Sequence, residues 1–257
     1  MLMAAGLSGC GGGGSDGGGS GSGPSGSTEP PLTAVVNSEP GAGNTVIRLL
    51  SRPFMGQYDV LNYFDHDLPI NPNDANGFQL NWRGAHVIPG RDIKGYDGHK
   101  GIDWLLPENT PVLAVTGGEI VFAGPNMFLC PIQDNEPTTN PTVVIKFVAT
   151  DGETYTALYT HLNRIDVAVG DGVTEGQQVG LSGATGCVGK AHLAHLHFEV
   201  SHAVVKDPAF NSRVNPVIDP CGWEGPGADP WAARGAGQTS VWFWKQGQAP
   251  DMVPRKP

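Results

Sequence analysis

At 257 residues, 39% of them hydrophobic, the chain is long enough for one or two domains with a sizeable core. A net charge of −10 and a pI near 5.1 argue against nucleic acid or an anionic membrane surface as a partner. There is no run of about 18 or more apolar residues, so no membrane-spanning helix is expected.

Residues 1–10, MLMAAGLSGC, end in the apolar, small, small, Cys order of a bacterial lipobox. This predicts Cys10 as the lipidated first residue of a mature lipoprotein. The apolar stretch before it is short and no Lys or Arg precedes Arg48, which reads as a signal clipped by a start assigned too late. Residues 11–44, rich in Gly, Ser, Pro and Asn, read as a disordered spacer behind the anchor. The chain is therefore expected in the cell envelope, periplasmic or at the cell surface, with the lipid as its contact with the membrane.

Ordered structure is expected from TVIRLL (45–50), and residues 45–257 are read as one domain. From there to Gly98 the sequence is dense in aromatics and turn formers, as in a wrapping arm. His66 stands between Asp65 and Asp67. A turn with structural hydrogen bonds is expected there rather than a metal site, because adjacent strand residues point to opposite faces.

From Thr110 the pattern is β. PVLAVTGGEIVFAG (111–124) predicts two short strands around a Gly-Gly turn. TVVIKFVAT and ETYTALYTHL predict a second hairpin around Asp151-Gly152. VAVGDGVTEGQQVGLSGATG (167–186) spaces its glycines as in tight hairpins of a small curved sheet. No long segment has a period of 3.6, so the expected fold is all-β, a compact antiparallel sheet domain with irregular arms at both ends. The segment after Val200 holds four of the six tryptophans and is expected to cover the core.

The chemistry gathers around AHLAHLHFEV (191–200). As a strand it puts Leu196, Phe198 and Val200 on one face and His195, His197 and Glu199 on the other. HKGID puts His99 and Asp103 four apart, on the same side if extended, and LYTHL carries His161 in another strand-like run. Two histidines and one aspartate can supply three ligands and leave a fourth position open, as a catalytic zinc requires. A lone histidine is more often a hydrogen-bonded core or surface residue; it is the combination that points to a metal. No HExxH motif is present, so a helical zincin site is not supported.

The order H-x-x-x-D, strand histidine, H-x-H, set in GHKGID (98–103), PVLAVTGGEIVFAG (111–124), YTHL (159–162), GDGVTEGQQVGLSGATG (170–186) and HLHFEV (195–200), resembles the lysostaphin-type (LytM-like) zinc metallopeptidases over about 95–220. The resemblance implies one Zn2+ per chain held by His99, Asp103 and His197, with His161 and His195 as unliganded catalytic histidines. It also implies an endopeptidase acting on the peptide cross-links of peptidoglycan, either glycyl bridges or D-alanyl–diaminopimelate links. The chain departs from the family pattern in GCVGKAHLAH, where extra residues and His192 precede the H-x-H pair. His192 is assigned to a loop near the cleft rim.

Two rival readings stand beside this one. The first is a silent relative that recruits or activates another cell-wall hydrolase, though such proteins usually lack some of the five residues. The second is a biotinyl- or lipoyl-like carrier, which VAVGDGVTEGQQVG imitates without a lysine at the hairpin tip. A monomer is expected. Three cysteines besides Cys10 allow three pairings, of which Cys130–Cys187 is favoured: Cys187 lies just ahead of the H-x-H strand and Cys130 is placed in a loop after VFAG, so a bridge could pin two rims of one groove.

Overall fold

The computed structural model describes residues 40, 43–67, 79–87, 98–130, 136–188, 192–202, 216–234 and 240–249. The chain divides into two units, Met1–Val35 and Val36–Pro257, and the described residues all belong to the second. Cys10 and nearly all of the 11–44 spacer lie outside the described residues.

The first strands are β1 (Val46–Leu50), β2 (Val60–Asn62), β3 (Gln79–Leu80), β4 (His86–Val87) and β5 (Ile102–Trp104). They are followed by β6 (Pro111–Leu113), β7 (Gly118–Cys130), β8 (Glu136–Val148), β9 (Thr154–Thr160) and β10 (Leu162–Ile165). The chain continues with β11 (Gly172–Val173), β12 (Gln178–Ser182), β13 (Leu196–His202), β14 (Val217–Ile218) and β15 (Trp242–Trp244). Among the described residues the one helical segment is a 3-10 turn, Trp231–Arg234. The fold is all-β, as its sequence pattern predicts.

The main sheet runs β11-β7-β8-β9-β13-β5-β2, with β14 added beside β13, and every pairing in it is antiparallel. A three-stranded antiparallel sheet, β10-β12-β6, shares one hydrophobic core with it. Alternation builds that core. Leu196, Phe198 and Val200 of β13, Tyr159 and Ala157 of β9, and Ile145 and Val143 of β8 are all fully buried. They meet Val112, Leu162 and Val179 from the smaller sheet. Each Leu-, Val- or Phe-sized side chain so buried contributes about 1.5–3 kcal/mol, enough to set the register of β13 against a one-residue slip, which would turn its apolar row outward.

Three local expectations are corrected. β6 and β7 do not form a hairpin: β6 pairs with β12 and β7 with β8 and β11, so the Gly117-Gly118 step carries the chain from one sheet to the other. β11 and β12 do not pair with each other either; β12 lies between β10 and β6. A turn in sequence specifies that two strands reverse, but partner choice is set by which faces must be buried. Cys130 is the last residue of β7 rather than part of a loop. The hairpin around Asp151-Gly152 is present, with Val148 opposite Thr154.

The arms close the core. β15 runs parallel to β1, with Trp242 opposite Val46 and Trp244 opposite Leu50. Trp244 packs on Trp104 and Phe198, at ring centroid distances of 6.5 and 6.0 Å. The tryptophan-rich tail covers the core, and β2 extends the main sheet beyond β5.

Candidate metal centre and its histidines

His99 lies just before β5, Asp103 lies within β5, and His197 lies in β13, directly opposite Asp103 in the antiparallel register. That pairing brings the three together. His99 Nε2 is 3.0 Å from His197 Nδ1 and 3.2 Å from Asp103 Oδ2, while His197 Nδ1 is 2.8 Å from Asp103 Oδ1. Among the described residues this is the one group of three His, Cys, Asp or Glu donors within 4.8 Å of one another. Gly101 allows the approach: a Cβ there would lie 3.0 Å from both His197 Cε1 and Glu199 Cγ.

The outward nitrogens decide what the inward ones can do. His99 Nδ1–H donates to the Tyr63 carbonyl at 2.8 Å, and His197 Nε2–H donates to Glu199 Oε1 at 2.9 Å. Both rings therefore turn their other nitrogen toward Asp103. For zinc bonds of about 2.0–2.1 Å, the ligand atoms of a tetrahedron sit about 3.3 Å apart. The observed spacings are close to that, so the three residues fit one zinc ion with small relaxation. Oriented outer hydrogen bonds of this kind are what a ligating histidine needs. Asp103 is held further by Asn62, whose Nδ2 donates to Oδ2 at 2.6 Å.

Electrostatics follow the same division. Burial alone would raise the Asp103 carboxyl, but His99, His195 and His197 around it hold it well below the usual carboxylate range. Burial disfavours a charged His197, but the Asp103 and Glu199 carboxylates outweigh it and push the ring up to about 10. His197 thus carries a proton on Nδ1 near neutral pH, and a cation arriving between the three residues would displace it.

His161 and His195 form the other half. Their rings lie 4.5 Å apart by centroid, and His161 is 6.0 Å from the His197 ring. His161 is not within a strand: it occupies the break between β9 and β10, with φ of 66°. A non-glycine residue in this region carries a backbone cost of about 1–2 kcal/mol, repaid here by aiming the imidazole at the site where the chain passes from the main sheet to the smaller one. Its Nδ1–H donates to the Thr185 carbonyl at 2.8 Å. Burial first, then the neighbouring His195 and His197, hold it well below the usual histidine value, so it is neutral at pH 7. His195 precedes β13 in an isolated bridge with Gly183, and its Nδ1–H donates to the Leu193 carbonyl at 2.7 Å. His192 sits in an exposed turn with φ of 46°.

Cys130 and Cys187 are joined by a disulfide with Cα atoms 5.5 Å apart, and Cys221 is a buried free thiol. Cys187 N–H also donates to Asn140 Oδ1 of β8. The loop that carries Thr185, and so orients His161, is thereby tied to the β7–β8 hairpin. Sequence reasoning misses Asn62, Tyr63 and Thr185 as supports. Two of these act through backbone carbonyls, which every residue possesses, and Asn62 lies far from any motif. Glu199 has a signal: it is two residues from His197 on the same strand face.

Fold and cluster together define a class: an antiparallel β domain that sets a two-histidine, one-carboxylate cluster beside two further histidines. Residues 97–216 match Peptidase family M23. The cell division protein DipM of Caulobacter vibrioides is 27% identical over 184 residues, covering 71% of this chain and 25% of that protein. The peptidoglycan DD-endopeptidase ShyA of Vibrio cholerae is 36% identical over 102 residues, covering 40% of this chain and 20% of that protein. The chain thus spans a quarter or less of the length of these two curated relatives. Among solved structures, the catalytic domain of lysostaphin from Staphylococcus simulans is 29% identical, covers 46% of this chain and 74% of its own, and has a TM-score of 0.33.

Proposed function

We propose that this chain is a zinc-dependent endopeptidase that hydrolyses peptide cross-links of bacterial peptidoglycan, held in the cell envelope by a lipid on Cys10. The observation that carries the reading is the meeting of His99 Nε2, Asp103 and His197 Nδ1 about one point, with the His161 and His195 imidazoles beside it. Zinc bound there would polarise the scissile carbonyl and acidify a water molecule.

The remaining work belongs to the protein. His161 is neutral, with its Nδ1 proton committed to Thr185, so Nε2 is free to accept a proton from the attacking water. The water oxygen adds to the carbonyl carbon, the C–N bond breaks, and the proton held on His161 passes to the departing amine. His195, oriented through Leu193, faces the same space. It stands beside His161, within reach of the negative charge growing on the carbonyl oxygen.

The test is metal content of the purified full chain beside cleavage of purified peptidoglycan sacculi. One zinc per chain with release of cross-linked peptides is expected. His161→Ala and His195→Ala should keep zinc and lose turnover by about 100-fold or more. A chain that neither binds zinc nor cleaves sacculi would refute the proposal, and loss of zinc in His195→Ala would refute the division of roles. Expressed with a complete lipoprotein signal, the protein should label with lipid, and Cys10→Ala should abolish the labelling.

A further inference from the structure

The arm around His66 and the tail from Val217 onward both lie outside the family match, yet they meet in a buried ion cluster. His66 is completely buried. Its Nε2 is 2.9 Å from Asp219 Oδ2 and its Nδ1 is 2.8 Å from Asp229 Oδ1. A neutral imidazole has one N–H and cannot donate to two carboxylates; donation on both sides requires the imidazolium. The rings of Trp223, at 4.8 Å, and Phe64, at 5.2 Å, close over it. Both carboxylates are themselves fixed, Asp219 by the Cys221 N–H and Asp229 by the Trp231 N–H and the Ser240 hydroxyl.

The residues just before His66 reach the metal centre. The Tyr63 carbonyl accepts from His99 Nδ1. Asp65 N–H donates to the His99 carbonyl at 2.9 Å, and the Asp65 carboxylate accepts from Gly98 N–H at 2.9 Å. Asn62 holds Asp103. Two of the three clustered donors are thus oriented by a short arm whose far end is pinned by His66 to the tail.

We infer that His66, held between Asp219 and Asp229, is a positioning residue for the metal centre: it locks the 60–67 arm so that Tyr63 and Asn62 present His99 and Asp103 in ligand geometry. This rests on the metal-binding reading above. It assigns a function to the flanking segments: they are part of the site's support as well as cover for the core. Loosening the arm weakens the Tyr63 hold on His99 Nδ1, and the ion then has to order that ligand at the moment it binds.

The experiment uses the full chain carrying His66→Gln, with Asp229→Asn as a milder second variant. The control is Val173→Ala in β11, at the opposite edge of the main sheet from β2. Zinc affinity is measured by chelator competition alongside thermal stability. The metal-free proteins are also examined by nitrogen NMR for the His99 tautomer, which Tyr63 holds as Nδ1–H. His66→Gln should weaken zinc binding by roughly 10-fold or more and blur the His99 tautomer. Asp229→Asn should do the same to a smaller degree, and Val173→Ala should change zinc affinity less than twofold. The zinc-dependent defect in turnover should be rescued by excess zinc. If His66→Gln loses stability but keeps both zinc affinity and the His99 tautomer, the clamp is structural only and the inference is overturned. If the wild type binds no zinc but His66→Gln still blurs the His99 tautomer, the functional proposal fails while the positioning stands.

Discussion

His66 is a fully buried imidazole and His197 a partly buried one, and each is bracketed by two carboxylates, Asp219 and Asp229 for the first and Asp103 and Glu199 for the second. Burial disfavours the charged ring at both, and the paired acids overcome it, pushing His197 up to about 10 and His66 up to about 9. The difference lies in what converges. At both the acids approach opposite ring nitrogens, and at His66 the Phe64 and Trp223 rings pack against the imidazole. At His197 the Nδ1 side also receives His99 Nε2, so three donors face one point. The same two-acid environment therefore supports an ion-pair clamp in one place and a candidate cation site in the other. What separates them is a third donor whose own outer nitrogen is already satisfied.

The largest effect that could break this comparison is His197→Ala. It should abolish stoichiometric zinc and reduce sacculus cleavage to background, because a catalytic site has no spare protein ligand. Full zinc retention by that variant would remove His197 from the centre. Next is pH. Zinc must displace the Nδ1 proton of a ring pushed up to about 10, so affinity should climb about tenfold per pH unit between about pH 7 and 9. A flat profile by calorimetry or chelator competition would show that His197 is already neutral. Removing the outer acid is a smaller change: Glu199→Ala should weaken zinc binding by about 10-fold while leaving turnover at saturating zinc within a few-fold.

The smallest effect belongs to His66. Its folded value is raised, so the clamp's stabilisation is fully present below the ordinary value of 6.5 and is lost as pH rises through about 9. That shift corresponds to about 3 kcal/mol for this fully buried ring, or several degrees of melting temperature. His66→Gln should flatten the fall in melting temperature across that window. An identical pH profile in wild type and variant would mean that His66 is not the titrating group.

Much of the fold could be read from the chain because strand alternation is a local property. HLHFEV separates its apolar and polar faces within six residues, and the Asp151-Gly152 hairpin is written in its turn. The same locality set His195 and His197 on one strand face, while the ordered set of five with His99, Asp103 and His161 rested on the resemblance to lysostaphin-type metallopeptidases. Partner choice was not local. That β6 joins β12 rather than β7 follows from which faces the shared core must bury, and no turn signal encodes it. His161 reads as a strand residue in YTHL, yet it sits at a break with positive φ because the chain changes sheets there. The supports were the least visible. The Tyr63 and Thr185 carbonyls have no side-chain signature, and His66 is separated from Asp219 by 153 residues. The sequence by itself determined an all-β chain with a histidine- and aspartate-bearing set of strands, because side-chain period is a nearest-neighbour matter. Only the tertiary structure decided that the arm and tail close a charged clamp behind that set, because long-range packing alone brings those groups out of water together.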